Sequence, residues 1–219
     1  MHAQIVLFDG FDPLDVIAPY EVLHAGGKAA GGTLTVELVS AQGPCEVVSG
    51  SGGLVLRATG ALDPENADII IVPGAAGQIS TPEDGREVDT IPVLLARTIQ
   101  TDLPALMKKA LDNPKILVAT VCGGSLVLAM AGLLEGRHAV THHMGMDVLG
   151  ATGAVPIHAR VVDDGDLVTA GGVTSGLDLG LYLLERELGP RIARAVEEVF
   201  EYERRGTTWH NKGLEAVAV

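Results

Sequence analysis

Basic residues, aromatics and cysteines are all scarce in this chain, and each scarcity excludes something. Fifteen Lys and Arg stand against 28 Asp and Glu, a formal net charge of -13 over 219 residues. A nucleic-acid surface neutralises phosphates with clustered Lys and Arg, so nucleic acid is not an expected partner. Aromatics make up 3% of the chain and hydrophobic residues 47%, so the core is built mainly from Val, Leu, Ile and Ala. Two cysteines, Cys45 and Cys122, are too few for a disulfide scaffold. No run approaches the roughly 20 uncharged apolar residues of a membrane-spanning helix. Met1 to Asp9 lacks the basic and apolar regions of a secretion signal. A cytoplasmic, reducing setting without a membrane partner is therefore expected. Gly-x-Gly-x-x-Gly, P-loop, His-Glu-x-x-His and Cys-x-x-Cys patterns are missing, so neither a nucleotide cofactor nor a metal is expected.

What is present reads as short apolar runs alternating with helical patterns. Strands are predicted at Gln4 to Phe8, Leu34 to Val39, Asp68 to Val72, Ile116 to Val121 and Ala139 to His142. Cys45 to Ala58 reads as a strand pair, and Ala159 to Asp163 with Asp166 to Thr169 as a hairpin across Asp164-Gly165. Helices are predicted at Pro13 to about Ala25, Ile91 to Leu111, Gly124 to Leu134, Met144 to Leu149, Ser175 to Leu188 and Pro190 to about Arg204. Near-continuous apolar strands alternating with helices imply an α/β sandwich with a mainly parallel sheet. A single domain over 1–205 and a C-terminal tail over 206–219 are expected.

One segment speaks directly to chemistry. Ile116 to Val121 is an apolar run ending at Cys122, followed by Gly123, Gly124 and a helix-like pattern. Strand, sharp turn and helix with a thiol at the turn form a nucleophile elbow with Cys in place of Ser. The positive end of the following helix is expected to favour the thiolate and lower the cysteine pKa. Cys45, in a hairpin strand without such a context, reads as structural or incidental. Asp15, early in the first helix among apolar neighbours, is a candidate proton carrier, because burial beside a thiol raises a carboxyl pKa. Asp12 suits the N-cap of that helix. The Pro73-Gly74-Ala75 loop after a buried strand offers a backbone N–H to developing negative charge, and Gly123 a second. Either His142 or His143 can face the site as base or donor, but adjacent strand residues point to opposite faces. His158 and Arg160 read as partners of carboxylates or as subunit contacts. For Asp178 in a first helical turn, the helix dipole is a sufficient account.

With these residues in view the chain resembles the ThiJ/PfpI superfamily, of the flavodoxin-like, class I glutamine amidotransferase-like fold. The likeness runs from Gln4 to about Tyr202. It is carried by Leu14-Asp15 with Pro19, Ile71-Val72-Pro73-Gly74, Val121-Cys122-Gly123-Gly124-Ser125, Ala131 to Arg137, Thr141-His142 and Gly171 to Asp178. Within the superfamily it is most similar to isocyanide hydratases and to the sensor domains of AraC-type regulators. The resemblance implies a three-layer sandwich, a homodimer and a small-molecule substrate. It also implies a catalytic Cys122 paired with Asp15, which together turn an isocyanide into an N-formamide through a thioimidate. Gly74, Ala75, Gly123 and His142 would bind the polar group. The chain departs from the hydratase pattern at Gly123, where threonine is usual, and at Ala75, where a second glycine is usual. Gly123 also stands where the peptidase-like and glyoxalase-like branches carry histidine. Two rivals follow. One is a binding protein without turnover; because the chain ends at Val219, a DNA-binding regulator is not expected. The other is a pathway-specific lyase or cyclase on the same fold.

Overall fold

The computed structural model describes residues 1–80 and 89–214. β1 (His2–Leu7) leads into α1 (Pro13–Ala29), which Asp12 caps by accepting from the Leu14 N–H at 2.9 Å. Pro13 occupies the first helical turn, where a missing N–H costs nothing. β2 (Thr35–Ser40) is followed by the hairpin β3 (Cys45–Val48) and β4 (Val55–Ala58). The short β5 (Gly60–Ala61) and β6 (Ile69–Val72) come next. α2 (Ile91–Thr98) and α3 (Leu103–Leu111) precede β7 (Leu117–Val121), which runs into α4 (Gly124–Met130). The chain continues through β8 (His138–Ala139), α5 (Met146–Ala151), β9 (Val155–Pro156), β10 (Val161–Asp163) and β11 (Leu167–Ala170). α6 (Ser175–Leu188), α7 (Pro190–Phe200) and β12 (Trp209–His210) complete the described elements.

Eight strands form one sheet in the order β12-β10-β11-β7-β6-β1-β2-β5. All neighbours are parallel except β10 and β11, which pair antiparallel across the Asp164-Gly165 turn. β6, β7 and β11 are buried at every position, as a sheet covered on both faces requires. The fold is the expected flavodoxin-like α/β sandwich. α1 packs against α6 at small residues. A Cβ on Gly180 would sit 2.8 Å from Val22 Cγ1, and one on Gly26 2.2 Å from Leu184 Cδ2, so glycine sets how closely the helices approach. The order β7-β6-β1 brings three carboxyl ends side by side: the elbow, the Pro73 to Gly77 loop and the start of α1. Open α/β sheets bind ligands there.

Three segments differ from the sequence expectation. The helix predicted from Ile91 to Leu111 is two helices, separated at 99–102. Pro104 sits in the first turn of the second, since it has no N–H to give to the carbonyl four residues back. The strand predicted at Ala139 to His142 stops at Ala139, and His142 instead caps a one-turn 3-10 helix, His143–Gly145. Trp209 and His210 lie in the segment read as tail, yet they pair with Val162 and Asp163 as an edge strand. Trp209 also packs on the His138 ring, with centroids 5.0 Å apart. Residues 215–219 of that segment lie outside the described residues.

Candidate active site

The elbow is held by its neighbours. Cys122 has φ 54, in the left-handed region that a non-glycine residue enters at a cost of about 1–3 kcal/mol. Long-range hydrogen bonds maintain it. The Cys122 N–H donates to the carbonyls of Ala170 and Gly171 at 3.1 and 3.0 Å, and Thr141 Oγ1 donates to the Cys122 carbonyl at 2.7 Å. Ser125 Oγ bonds the Val140 carbonyl and Thr120 Oγ1, each at 2.6 Å, which ties the start of α4 to β7. Gly124 is required by contact: a Cβ there would lie 2.1 Å from the Val72 carbonyl oxygen.

Asp15 is fully buried, at 0% exposure, and Cys122 is 7% exposed. Asp15 Oδ2 accepts from the Gly74 N–H at 2.9 Å, while Oδ1 meets no hydrogen-bond partner among the described residues. Gly74 locks three groups together, because a Cβ on it would strike the Gly123 nitrogen at 2.6 Å and Asp15 Oδ2 at 2.8 Å. Burial, reinforced by the Asp12 charge, pushes the Asp15 carboxyl up to about 8 against the pull of the Gly74 N–H and the Cys122 thiol. The cysteine moves opposite to the sequence expectation. Burial and the adjacent Asp15 push the Cys122 thiol up to about 12, and N–H groups of Val173 and Gly123 only partly offset this. α4 is seven residues long, so its dipole is short, and desolvation outweighs it. Both shifts favour the protonated forms, an acid beside a thiol.

Sequence reasoning missed Val173. Its backbone has φ 41, an outlier for a β-branched residue, and its N–H pulls the Cys122 thiol pKa down. A Gly-Gly pair followed by a β-branched residue at a helix start was the available signal. Ala75 forms a bridge with Phe11 through Asp12 N–H to the Gly74 carbonyl and Ala76 N–H to the Gly10 carbonyl, which leaves its own N–H uncommitted by that bridge. His142 is one step further out. Its ring packs on Gly172, where a Cβ would lie 2.3 Å from Cδ2, and its Nδ1 accepts from the Met144 N–H at 3.3 Å. That bond puts the ring proton of the neutral form on Nε2. Burial and the neighbouring His143 lower the His142 pKa. The two rings lie together, centroids 4.4 Å apart, rather than on opposite faces of a strand. Both line a cavity of ≈ 440 Å³ with His158, Arg160 and Val173. Asp178 needs more than the dipole account. It is 2% exposed and accepts from Arg160 Nε at 2.5 Å, Tyr202 Oη at 3.0 Å and the Arg205 N–H at 2.7 Å.

The model of the DJ-1/PfpI family matches residues 94–186, which hold the elbow, Thr141 and the Val173 turn. The isonitrile hydratase of Pseudomonas putida is 35% identical over 198 residues, 90% of this chain and 76% of that protein. The chain belongs to the DJ-1/PfpI family. The transcriptional regulator CdhR of Pseudomonas aeruginosa is 26% identical over 89% of this chain, which spans 53% of that regulator. A ThiJ/PfpI family protein from Pseudomonas syringae superposes with a TM-score of 0.75 at 25% identity, covering 94% of this chain and 76% of that one. The family thus includes an enzyme and a regulator on one fold. Among the described residues no group of three His, Cys, Asp or Glu is placed to hold a metal, and no helix is long and apolar enough to cross a membrane.

Proposed function

We propose that this DJ-1/PfpI protein is a cysteine-dependent hydratase that converts an isocyanide to an N-formamide, without a cofactor and as a homodimer. The observation that carries the reading is the fully buried Asp15 beside Cys122, with Oδ2 on the Gly74 N–H, Oδ1 without a partner among the described residues, and burial pushing the carboxyl up toward its acid form. An isocyanide carbon bears a lone pair and must gain both a proton and a nucleophile. Asp15 gives its proton to that carbon while the Cys122 sulfur bonds to it, and the thiol proton returns to the Asp15 carboxylate. The product is a thioimidate on Cys122. Water then adds to the same carbon and gives one proton to Asp15 as Asp15 passes its own to the nitrogen, and the carbon–sulfur bond breaks. The sulfur leaves with the remaining proton, and R–NH–CHO departs. Starting from the protonated pair removes the need for a standing thiolate. N–H groups of Gly123 and Val173 favour negative charge on sulfur as it develops. Likeness to the Pseudomonas putida isonitrile hydratase supports the substrate class.

The test is formamide production from a simple isocyanide by wild type, Cys122→Ala and Asp15→Asn. Both variants are expected to lose at least 100-fold in kcat/KM, on the order of a lost general acid or nucleophile. Undiminished turnover by Cys122→Ala overturns the mechanism. A second reading, small-molecule binding without turnover, draws on likeness to the regulator CdhR and on the bare Gly123. Binding of an isocyanide or formamide to wild type with no conversion would favour it.

A further inference from the structure

Arg160 takes no part in the chemistry above, yet it grips the Val173 turn at both ends. Its carbonyl accepts from the Gly171 N–H at 3.0 Å, and the Gly171 carbonyl accepts from the Cys122 N–H at 3.0 Å. Its side chain reaches past the turn, where Nη2 donates to Thr174 Oγ1 at 2.8 Å and Nε to Asp178 Oδ2 at 2.5 Å. Val173 lies between these attachments in a left-handed conformation that its branched side chain disfavours. Such a conformation persists only where surrounding bonds hold it. Asp178 extends the grip, since Tyr202 Oη and the Arg205 N–H bind the same carboxylate from the segment after α7.

We propose that Arg160, Thr174 and Asp178 form a positioning clamp that holds the Gly171–Val173 turn against the Cys122 elbow, and that Tyr202 sets the clamp by donating to the same Asp178 Oδ2 as Arg160. The inference rests on reading Cys122 as a nucleophile but not on the identity of its substrate. A hydrogen bond to sulfur favours the charged form, so a slackened turn leaves less thiolate at any given pH. Arg160 lines the cavity next to the site, where a ligand could touch it directly. Thr174, Asp178 and Tyr202 are not among the cavity-lining residues, so they separate positioning from ligand contact.

The experiment measures the alkylation rate of Cys122 by iodoacetamide from pH 6 to 10, in a Cys45→Ser background with Cys122→Ala as blank. Thr174→Val keeps shape and loses the acceptor; Arg160→Lys keeps charge and loses the fork that binds two partners at once. Each is expected to slow alkylation about fivefold across the range and to move the profile to higher pH, the effect of losing one ordinary hydrogen bond. Tyr202→Phe is expected to act in the same direction by about twofold. Rates and profiles unchanged in folded Thr174→Val and Arg160→Lys overturn the clamp, as does a Cys122 that resists alkylation at pH 10 in the parent. If those two respond and Tyr202→Phe does not, the role given to Tyr202 is overturned. Iodoacetamide reports on the sulfur alone, so failure of the isocyanide reading leaves this test intact.

Discussion

Asp15 is a stability liability at the pH where the protein is proposed to work. Its carboxyl is raised from 3.8 to about 8 on folding, so the folded state binds the proton more tightly than the unfolded chain. The favourable contribution is complete below about pH 4 and declines as pH rises to about 8. Asp15→Asn keeps an acceptor for the Gly74 N–H and carries no charge. It is expected to exceed wild type in stability by a few kcal/mol at pH 8, with a gap that narrows toward pH 4. Urea melts of both proteins at pH 4, 6 and 8 check this, and a gap independent of pH refutes it. The same substitution removes the charge that raises the Cys122 thiol. Alkylation of Cys122 near pH 9 should therefore be faster in Asp15→Asn, even as isocyanide turnover falls. Cys122 and Asp15 were legible in the sequence as an elbow and as an acid among apolar neighbours. The direction of the thiol shift was not, because desolvation depends on packing from β6, β11 and α1, which a local pattern cannot weigh.

The elbow works as an element because two glycines do different jobs. Gly124 faces the Val72 carbonyl, and Gly124→Ala forces a Cβ into backbone at 2.1 Å. Overpacking against backbone has no side-chain escape, so Gly124→Ala is expected to cost at least 3 kcal/mol, read from the urea midpoint. Gly123 is different. A Cβ there lies 3.3 Å from Leu95 Cδ1, the end of a flexible side chain. Gly123→Thr is expected to fold with a loss of about 1 kcal/mol, and formamide assays on it measure what the missing hydroxyl contributes. Strands β6 and β7 were legible as uninterrupted apolar runs. The break between α2 and α3 was signalled by Pro104 and overridden by the apolar spacing. The end of β8 before His142 carried no local signal, since its partner β9 is set by tertiary contact.

At the scale of the whole molecule, parallel pairing makes the site a product of distant sequence. Residues from α1, the loop after β6, the elbow and the β11–α6 turn meet only when β1, β6, β7 and β11 are aligned. The topology was legible from alternating elements, whereas β12 was not, because two residues have no periodicity. The net charge of -13 spreads repulsion over the surface, so association must rest on apolar contacts. Leu14, Ile17, Val48, Leu54 and Val55 are exposed on α1 and the β3–β4 hairpin. The proposed homodimer is expected to elute at twice the 22.7 kDa chain mass by light scattering, and charged substitutions at Ile17 and Val55 are expected to split it.

Because burial and Asp15 raise the Cys122 thiol well above its unfolded value, the native state masks its own sulfur. An unfolded copy exposes an ordinary thiol with a pKa of about 8.5 and far more thiolate at neutral pH. Oxidants and alkylating agents therefore mark misfolded molecules before folded ones.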